Sequence, residues 1–190
     1  MTRIIAGRAG GRRIETPKGE ATRPTSDRVR EALFSALEAR RVLDGATVLD
    51  LFAGSGAIGL EAASRGAAQV VLVDSSRHAV DVARRNVAGL GLDGVRVVHA
   101  PVLRHLAAPR RPGERRADVA VLDPPYAVDE DTLAQVLRAL DAGHLVPGAV
   151  VVVERDARSP EPRWPRHWRG EGARRYGDTA LWTATARLRG

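Results

Sequence analysis

Asp123-Pro124-Pro125-Tyr126 directly follows a short apolar run, Asp118-Val119-Ala120-Val121-Leu122. Two successive prolines fix φ and restrict the residue before each, so the segment is stiff. A stiff loop can hold the Asp123 side chain and the Pro124 carbonyl as convergent acceptors. An exocyclic amino group donates two hydrogen bonds, so two acceptors can hold it. They also favour the nitrogen lone pair turning out of ring conjugation, toward an incoming methyl group. Tyr126 offers a face on which an extracted base can stack. Asp123, Pro124, Pro125 and Tyr126 are therefore the candidate catalytic set for methylating a nucleobase amine. Positioning and electrostatics supply most of that catalysis.

A second cluster suits the cofactor. Gly54-Ser55-Gly56-Ala57-Ile58-Gly59 matches G-x-G-x-x-G, and it follows one predicted strand and opens a helix, as the motif requires. Asp74 ends the next predicted strand, twenty residues after Gly54, where a carboxylate can accept from both ribose hydroxyls. Asp50 lies inside the first strand. A carboxylate there would repel a dinucleotide pyrophosphate but welcomes the ammonium and sulfonium of S-adenosylmethionine. The pair Asp50 and Asp74 favours the sulfonium cofactor. The candidate cofactor-binding residues of this cluster are Asp50, Ala53, Gly54, Ser55, Gly56, Asp74 and Ser75. Pro101, just before Val102, fits the first position of a helix.

These residues need an alternating frame. Strands are expected at 47–52, 69–73, 95–98, 118–122 and 149–154, with helices at 26–40, 58–65, 77–90, 102–107 and 130–142. Alternation means a parallel sheet covered on both faces. Val29, Ala32, Leu33, Ala36 and Leu37 mark the buried face of the first helix, with Thr25 as its N-cap. Residues 164–175 and 180–188 read as an antiparallel hairpin turning at Tyr176-Gly177-Asp178. Residues 3–14 read as another, with strands 3–6 and 12–14 around a Gly-rich turn. Pro109 to Arg116 is a surface loop. The expected domains are a basic N-terminal hairpin extension, 1–24, and a catalytic domain, 25–190.

Composition narrows the class. The chain of 190 residues fits one domain. It has no cysteine, which excludes disulfides, thiolate zinc and a Cys nucleophile of the kind used for methylation at cytosine C5. The five histidines show no metal-ligand spacing, so no metal is expected. Met1 to Gly7 is too short an apolar run for a signal peptide, and no stretch approaches a membrane span, so a cytoplasmic protein is expected. The net charge is +7, and residues 1–30 alone contribute a net +5. A concentrated basic arm suits a polyphosphate partner. Arg3, Arg8, Arg12, Arg13, Arg23 and Arg28 are the candidate RNA contacts.

The motifs together resemble the RsmD-like family of bacterial methyltransferases that form N2-methylguanine in small-subunit (16S) ribosomal RNA. The resemblance is carried by Arg3-Ile4-Ile5-Ala6-Gly7, Arg23-Pro24-Thr25, Val29 to Phe34, Leu49 to Gly56, Glu61 to Ala67, Asp123 to Tyr126 and Tyr176-Gly177-Asp178-Thr179, which span nearly the whole chain. It implies the Rossmann-like class I S-adenosylmethionine-dependent methyltransferase fold: a seven-stranded, mostly parallel sheet with an antiparallel C-terminal hairpin, preceded by the N-terminal hairpin. It implies cofactor contacts at Asp50, Phe52, Gly54 and Gly56, with Asp74 on the ribose. It also implies a target guanine at Asp123–Tyr126, in the 16S position conventionally numbered 966, on an assembled or nearly assembled subunit; a monomer is expected. Where relatives often carry an acidic or amide residue, this chain has Ala100-Pro101-Val102, which leaves the adenine to the Val102 backbone.

Three other readings stay open on the residues. An adenine-N6 methyltransferase on DNA or RNA would use the same tetrapeptide, although a sequence-specific DNA methylase generally needs an added recognition domain. A nicotinamide-dependent oxidoreductase shares the glycine motif. A non-catalytic RNA-binding module would bind RNA and transfer nothing.

Overall fold

The computed structural model describes residues 2–17 and 27–187. Fourteen elements follow in order: β1 (Thr2–Arg3), β2 (Arg13–Ile14), α1 (Asp27–Ala39), β3 (Thr47–Leu51), α2 (Ala57–Ser64), β4 (Gln69–Asp74), α3 (Arg77–Leu90), β5 (Val95–His99), α4 (Val102–Ala107), β6 (Ala117–Leu122), α5 (Glu130–Asp141), β7 (Leu145–Asp156), β8 (Arg169–Tyr176) and β9 (Thr179–Thr185). Seven strands form one sheet in the order β5-β4-β3-β6-β7-β9-β8. β3 to β7 pair in parallel, and β9 runs antiparallel to both β7 and β8. This is the class I methyltransferase arrangement that the resemblance implies. The chain leaves β3 outward through β4 and β5, then returns to β6 on the other side of β3. That reversal is the switch point where open α/β sheets bind ligands.

Strand alternation decides what each face holds. Val48, Val70, Leu72, Val119, Val121, Val150 and Val152 point to one face and pack with α1, α2 and α3. Leu49, Leu51, Val71, Val73, Ala120, Leu122, Val151 and Val153 point to the other and pack with α4 and α5. Ile4, Ala9 and Ile14 of the N-terminal hairpin belong to the first of these clusters.

Several boundaries differ from the expected ones, each for a physical reason. The strands of the first hairpin are two residues a side and its cross-hairpin bonds end at Ile4, which donates to Arg12 O at 2.9 Å and accepts from Gly11 N at 2.8 Å, because the Ile5 and Ala6 amides turn away to the Glu61 carboxylate at 2.7 and 3.0 Å. α1 buries Arg30 and Phe34, leaving Ala32 and Ala36 half-buried. Its expected N-cap, Thr25, lies outside the described residues. Residues 164–168 are turns rather than strand, with Trp168 N donating to Pro165 O at 2.9 Å. Pro160, Pro162 and Pro165 have no N–H for a ladder. Pro101 is the N-cap of α4, one position earlier than expected, and Val102 opens the helix. No helix among the described residues is long and apolar enough to cross a membrane, and no group of three metal-ligating side chains occurs among them.

Candidate active site

Asp50, Asp74 and Asp123 come from three adjacent strands. In register, Leu51 sits beside Val73 on one side and Leu122 on the other. Asp74 and Asp123, one residue further along, therefore flank Phe52 at the carboxyl end of the sheet, and Asp50 lies two residues below. Three carboxylates gathered here make the crevice a site for cationic or hydrogen-bond-donating ligands.

The turn after β3 is shaped for close approach. Ala53 N donates to Val73 O at 3.0 Å and Gly56 N to Ala53 O at 2.7 Å. Phe52 has φ 64°, a left-handed conformation that costs a non-glycine residue on the order of 1–3 kcal/mol. Gly54 also has a positive φ, 55°, and a Cβ built there meets nothing within 4 Å, so the backbone faces open space. At Gly59 the opposite holds. A Cβ would come within 2.2 Å of Leu72 and 3.1 Å of Asp50 Oδ2, so this glycine lets α2 seat directly on the sheet.

The two cofactor carboxylates differ in setting. Asp74 is half-buried and fixed by backbone amides, Gly54 N on Oδ2 and Ser76 N on Oδ1, both at 2.8 Å. Each oxygen keeps a lone pair, which suits two ribose hydroxyls. Asp50 is 1% exposed; Gly59 N donates to its Oδ2 at 2.8 Å, while Oδ1 is buried with no partner. Burial pushes the Asp50 carboxyl up to about 8; the Gly59 amide opposes this, and Asp123 and Asp74 add to it. An orphaned buried oxygen among like charges is a place for a ligand cation. The crevice thus fits S-adenosylmethionine on three counts: open backbone at Gly54, a poised diol acceptor at Asp74 and a buried Asp50 carboxyl whose Oδ1 has no partner. Ser75 is exposed beside Asp74, and Ala100 N donates to Asp74 O at 2.9 Å, which brings the start of α4 to the same rim. The Val102 amide, in the first turn of that helix, has no intrahelical acceptor.

The tetrapeptide closes the other side. Asp123 N donates to Leu51 O at 3.3 Å, Pro124 is buried, and Val128 N donates to Pro125 O at 2.9 Å, which makes a tight turn. Tyr126 is 65% exposed, the one large hydrophobic so exposed among the described residues. Arg155, at the end of β7, braces this loop: Nη1 donates to Val128 O at 3.1 Å and Nη2 to Glu130 at 2.5 Å.

The basic arm is placed less uniformly. Arg8, Arg13 and Arg28 are exposed. Arg3 stands 3.9 Å from Asp27. Arg12 directs its guanidinium at the end of α3, onto Gly89 O at 2.5 Å and Leu90 O at 2.8 Å. Arg23 lies outside the described residues.

The motifs assign no role to three residues that hold the site together. Glu61, fully buried, holds the Ile5 and Ala6 amides and Arg65 Nε. Asn86, 5% exposed, accepts Glu15 N at 2.8 Å and donates to both Glu15 O and Ser55 O at 2.9 Å. It therefore ties the N-terminal segment to the glycine turn. Its signal was a polar residue on an apolar stripe, with Val82 and Leu90 four positions either side. Arg155 carried no motif at all.

Comparison with known proteins agrees with this fold. Residues 2–185 match the family model described as Conserved hypothetical protein 95. Ribosomal RNA small subunit methyltransferase D of Escherichia coli strain K12 is 36% identical over 167 residues, 87% of this chain and 80% of that protein. Its namesake in Haemophilus influenzae is 33% identical, over 83% of this chain and 80% of that protein. A solved structure of the Escherichia coli protein yhhF superposes with a TM-score of 0.86 at 31% identity, covering 98% of each chain. A hypothetical protein of Thermus thermophilus superposes at 0.82 with 37% identity, over 99% of this chain and 100% of that one.

Proposed function

The chain belongs to the Conserved hypothetical protein 95 family of RsmD-like methyltransferases, and from that premise we propose that it methylates the exocyclic N2 of a guanine in small-subunit ribosomal RNA. The observation that carries this reading is the pairing of an exposed Tyr126 and a proline-stiffened Asp123 with the glycine turn and Asp74 across one crevice. When bound, S-adenosylmethionine supplies an electrophilic methyl group on a good leaving group. The protein's own residues do the rest. Asp50, the turn from Phe52 through Gly56 and Asp74 hold the cofactor, and the Val102 amide meets its adenine edge. Tyr126 stacks the extracted base. Asp123 and the Pro124 carbonyl accept the two amino hydrogens and hold the nitrogen in line, which is catalysis by orientation and electrostatics.

The choice of guanine in rRNA rests on the relatives, whose names state small-subunit rRNA, and on the basic surface. The preferred substrate is an assembled or nearly assembled subunit, and the enzyme acts as a monomer in the cytoplasm. The test incubates the protein with labelled S-adenosylmethionine and small subunits, naked rRNA or DNA, then maps the modified base. Label at a guanine N2 in subunits is expected. Label on adenine N6, or on DNA alone, would replace this reading.

A further inference from the structure

Positive charge is concentrated beyond the N-terminal segment as well. Residues 96–116 carry six arginines against the single Glu114, a net +5 that equals the net charge of residues 1–30. Cofactor and base binding use none of these arginines. In the fold, Arg96, Arg104, Arg110 and Arg111 line one cleft of about 200 Å³ between β5, α4 and the loop before β6, together with His105 and His144. Glu114 is the one acidic side chain lining it, and it is already engaged. Its Oε1 accepts from Arg96 Nη2 at 2.7 Å and its Oε2 from the Arg111 amide at 3.1 Å. The Arg104 and Arg111 guanidiniums have neither ion pair nor hydrogen bond among the described residues.

The N-terminal hairpin offers less than its sequence suggests. With Arg12 on the α3 carbonyls and Arg3 beside Asp27, Arg8 and Arg13 are the hairpin arginines left to face a partner. The cleft is also close to the chemistry. Its wall residue Ala100 is hydrogen-bonded to Asp74 O, and α4 is six residues, roughly 9 Å, long. α4 packs on α5, the helix that follows the Asp123–Tyr126 loop. A concave, cationic surface whose free donors are planar guanidinium forks matches a phosphodiester better than it matches a neutral or cationic ligand. His105 sits in the same field: burial lowers its pKa, and Arg96 lowers it further.

We propose that this cleft is a second RNA-backbone site, in which Arg104 and Arg111 receive a phosphate of the substrate strand; the proposal rests on the rRNA reading above. The test is the charge-reversed pair Arg104→Glu/Arg111→Glu, with Arg104→Lys/Arg111→Lys as the conservative control, in the full chain. Binding to small subunits is measured over a range of salt, alongside S-adenosylhomocysteine affinity. Reversal is expected to weaken subunit binding at least about tenfold near 0.1 M salt and to flatten the salt slope by about two, one for each arginine that no longer neutralises RNA charge. The lysine pair should keep most of the binding, and both variants should hold S-adenosylhomocysteine as wild type does. Unchanged affinity and slope in the reversed pair, while wild type still methylates subunits, would overturn the cleft alone. Wild type that methylates no RNA would instead overturn the functional reading. A reversed pair that loses S-adenosylhomocysteine binding as well would show the cleft to be a structural part of the cofactor crevice and likewise count against the proposal.

Discussion

At Asp50, burial and ligand binding pull in opposite directions. A carboxyl raised to about 8 stays protonated in the folded protein while the unfolded chain ionises near the ordinary carboxylate range. Between those two values the native state binds more protons, so stability falls as pH rises, by up to about 1.4 kcal/mol per pH unit. Asp50→Asn removes this slope, and denaturant unfolding from pH 5 to 8 should be flatter for the variant than for wild type. Ligand binding should run the other way. A cation welcomes the ionised form, so S-adenosylhomocysteine should bind wild type more tightly at pH 8 than at pH 6, and the asparagine variant should lose that gain. Parallel pH profiles for the two proteins in both measurements would remove Asp50 from cofactor binding. Asp123 has a different task at the same sheet end. Asp123→Ala should cut methyl transfer by roughly 10²-fold or more while leaving S-adenosylhomocysteine affinity within about twofold. Full turnover in that variant would sink its role as acceptor for the amino group.

At the scale of elements, the N-terminal segment and the glycine turn share one support. Asn86→Ala leaves the Glu15 amide without an acceptor and Ser55 O without a donor, a loss of about 1–3 kcal/mol. The expected signature is S-adenosylhomocysteine binding weakened by roughly tenfold. Ser64→Ala is the control. Its hydroxyl fastens the hairpin to α2 through Ala9 N and Ala6 O but does not touch the turn. It should cost similar stability with cofactor affinity unchanged; equal affinity losses in both variants would reduce Asn86 to a packing residue. The same contrast explains what could be read from sequence. Short apolar runs placed β3, β4 and β6 within a residue or two, because a run bounded by polar and turn residues is local information. The tetrapeptide and Asp74 followed, since strand ends at a switch point are where ligands sit. Asn86, Glu61 and Arg155 reach partners 25 to 71 residues away, besides the Glu61–Arg65 pair within α2 and its cap, and no local pattern encodes such distances. The length of the first hairpin was overestimated for the same reason: a distant carboxylate captured its amides.

At the scale of the whole molecule, net charge is a poor guide to usable charge. Arg12 and Arg13 are neighbours of identical chemistry, yet Arg12 closes the end of α3 and Arg13 points to solvent. A cation at a helix C-terminus stabilises it by about 1 kcal/mol, less in high salt. Arg12→Gln should therefore lower the unfolding free energy by about that amount and shift Tm downward by a few degrees, with little change in the salt dependence of subunit binding. Arg8→Gln/Arg13→Gln should do the reverse: stability near wild type, and a salt slope shallower by about two if each contacts one phosphate. The pair of measurements separates arginines that build the protein from arginines that face RNA. A slope that responds to Arg12 as strongly as to Arg8 and Arg13 would mean that its guanidinium leaves α3 for the RNA on binding. A slope that responds to none of the three would leave the Arg104–Arg111 cleft to bear the electrostatic part of recognition.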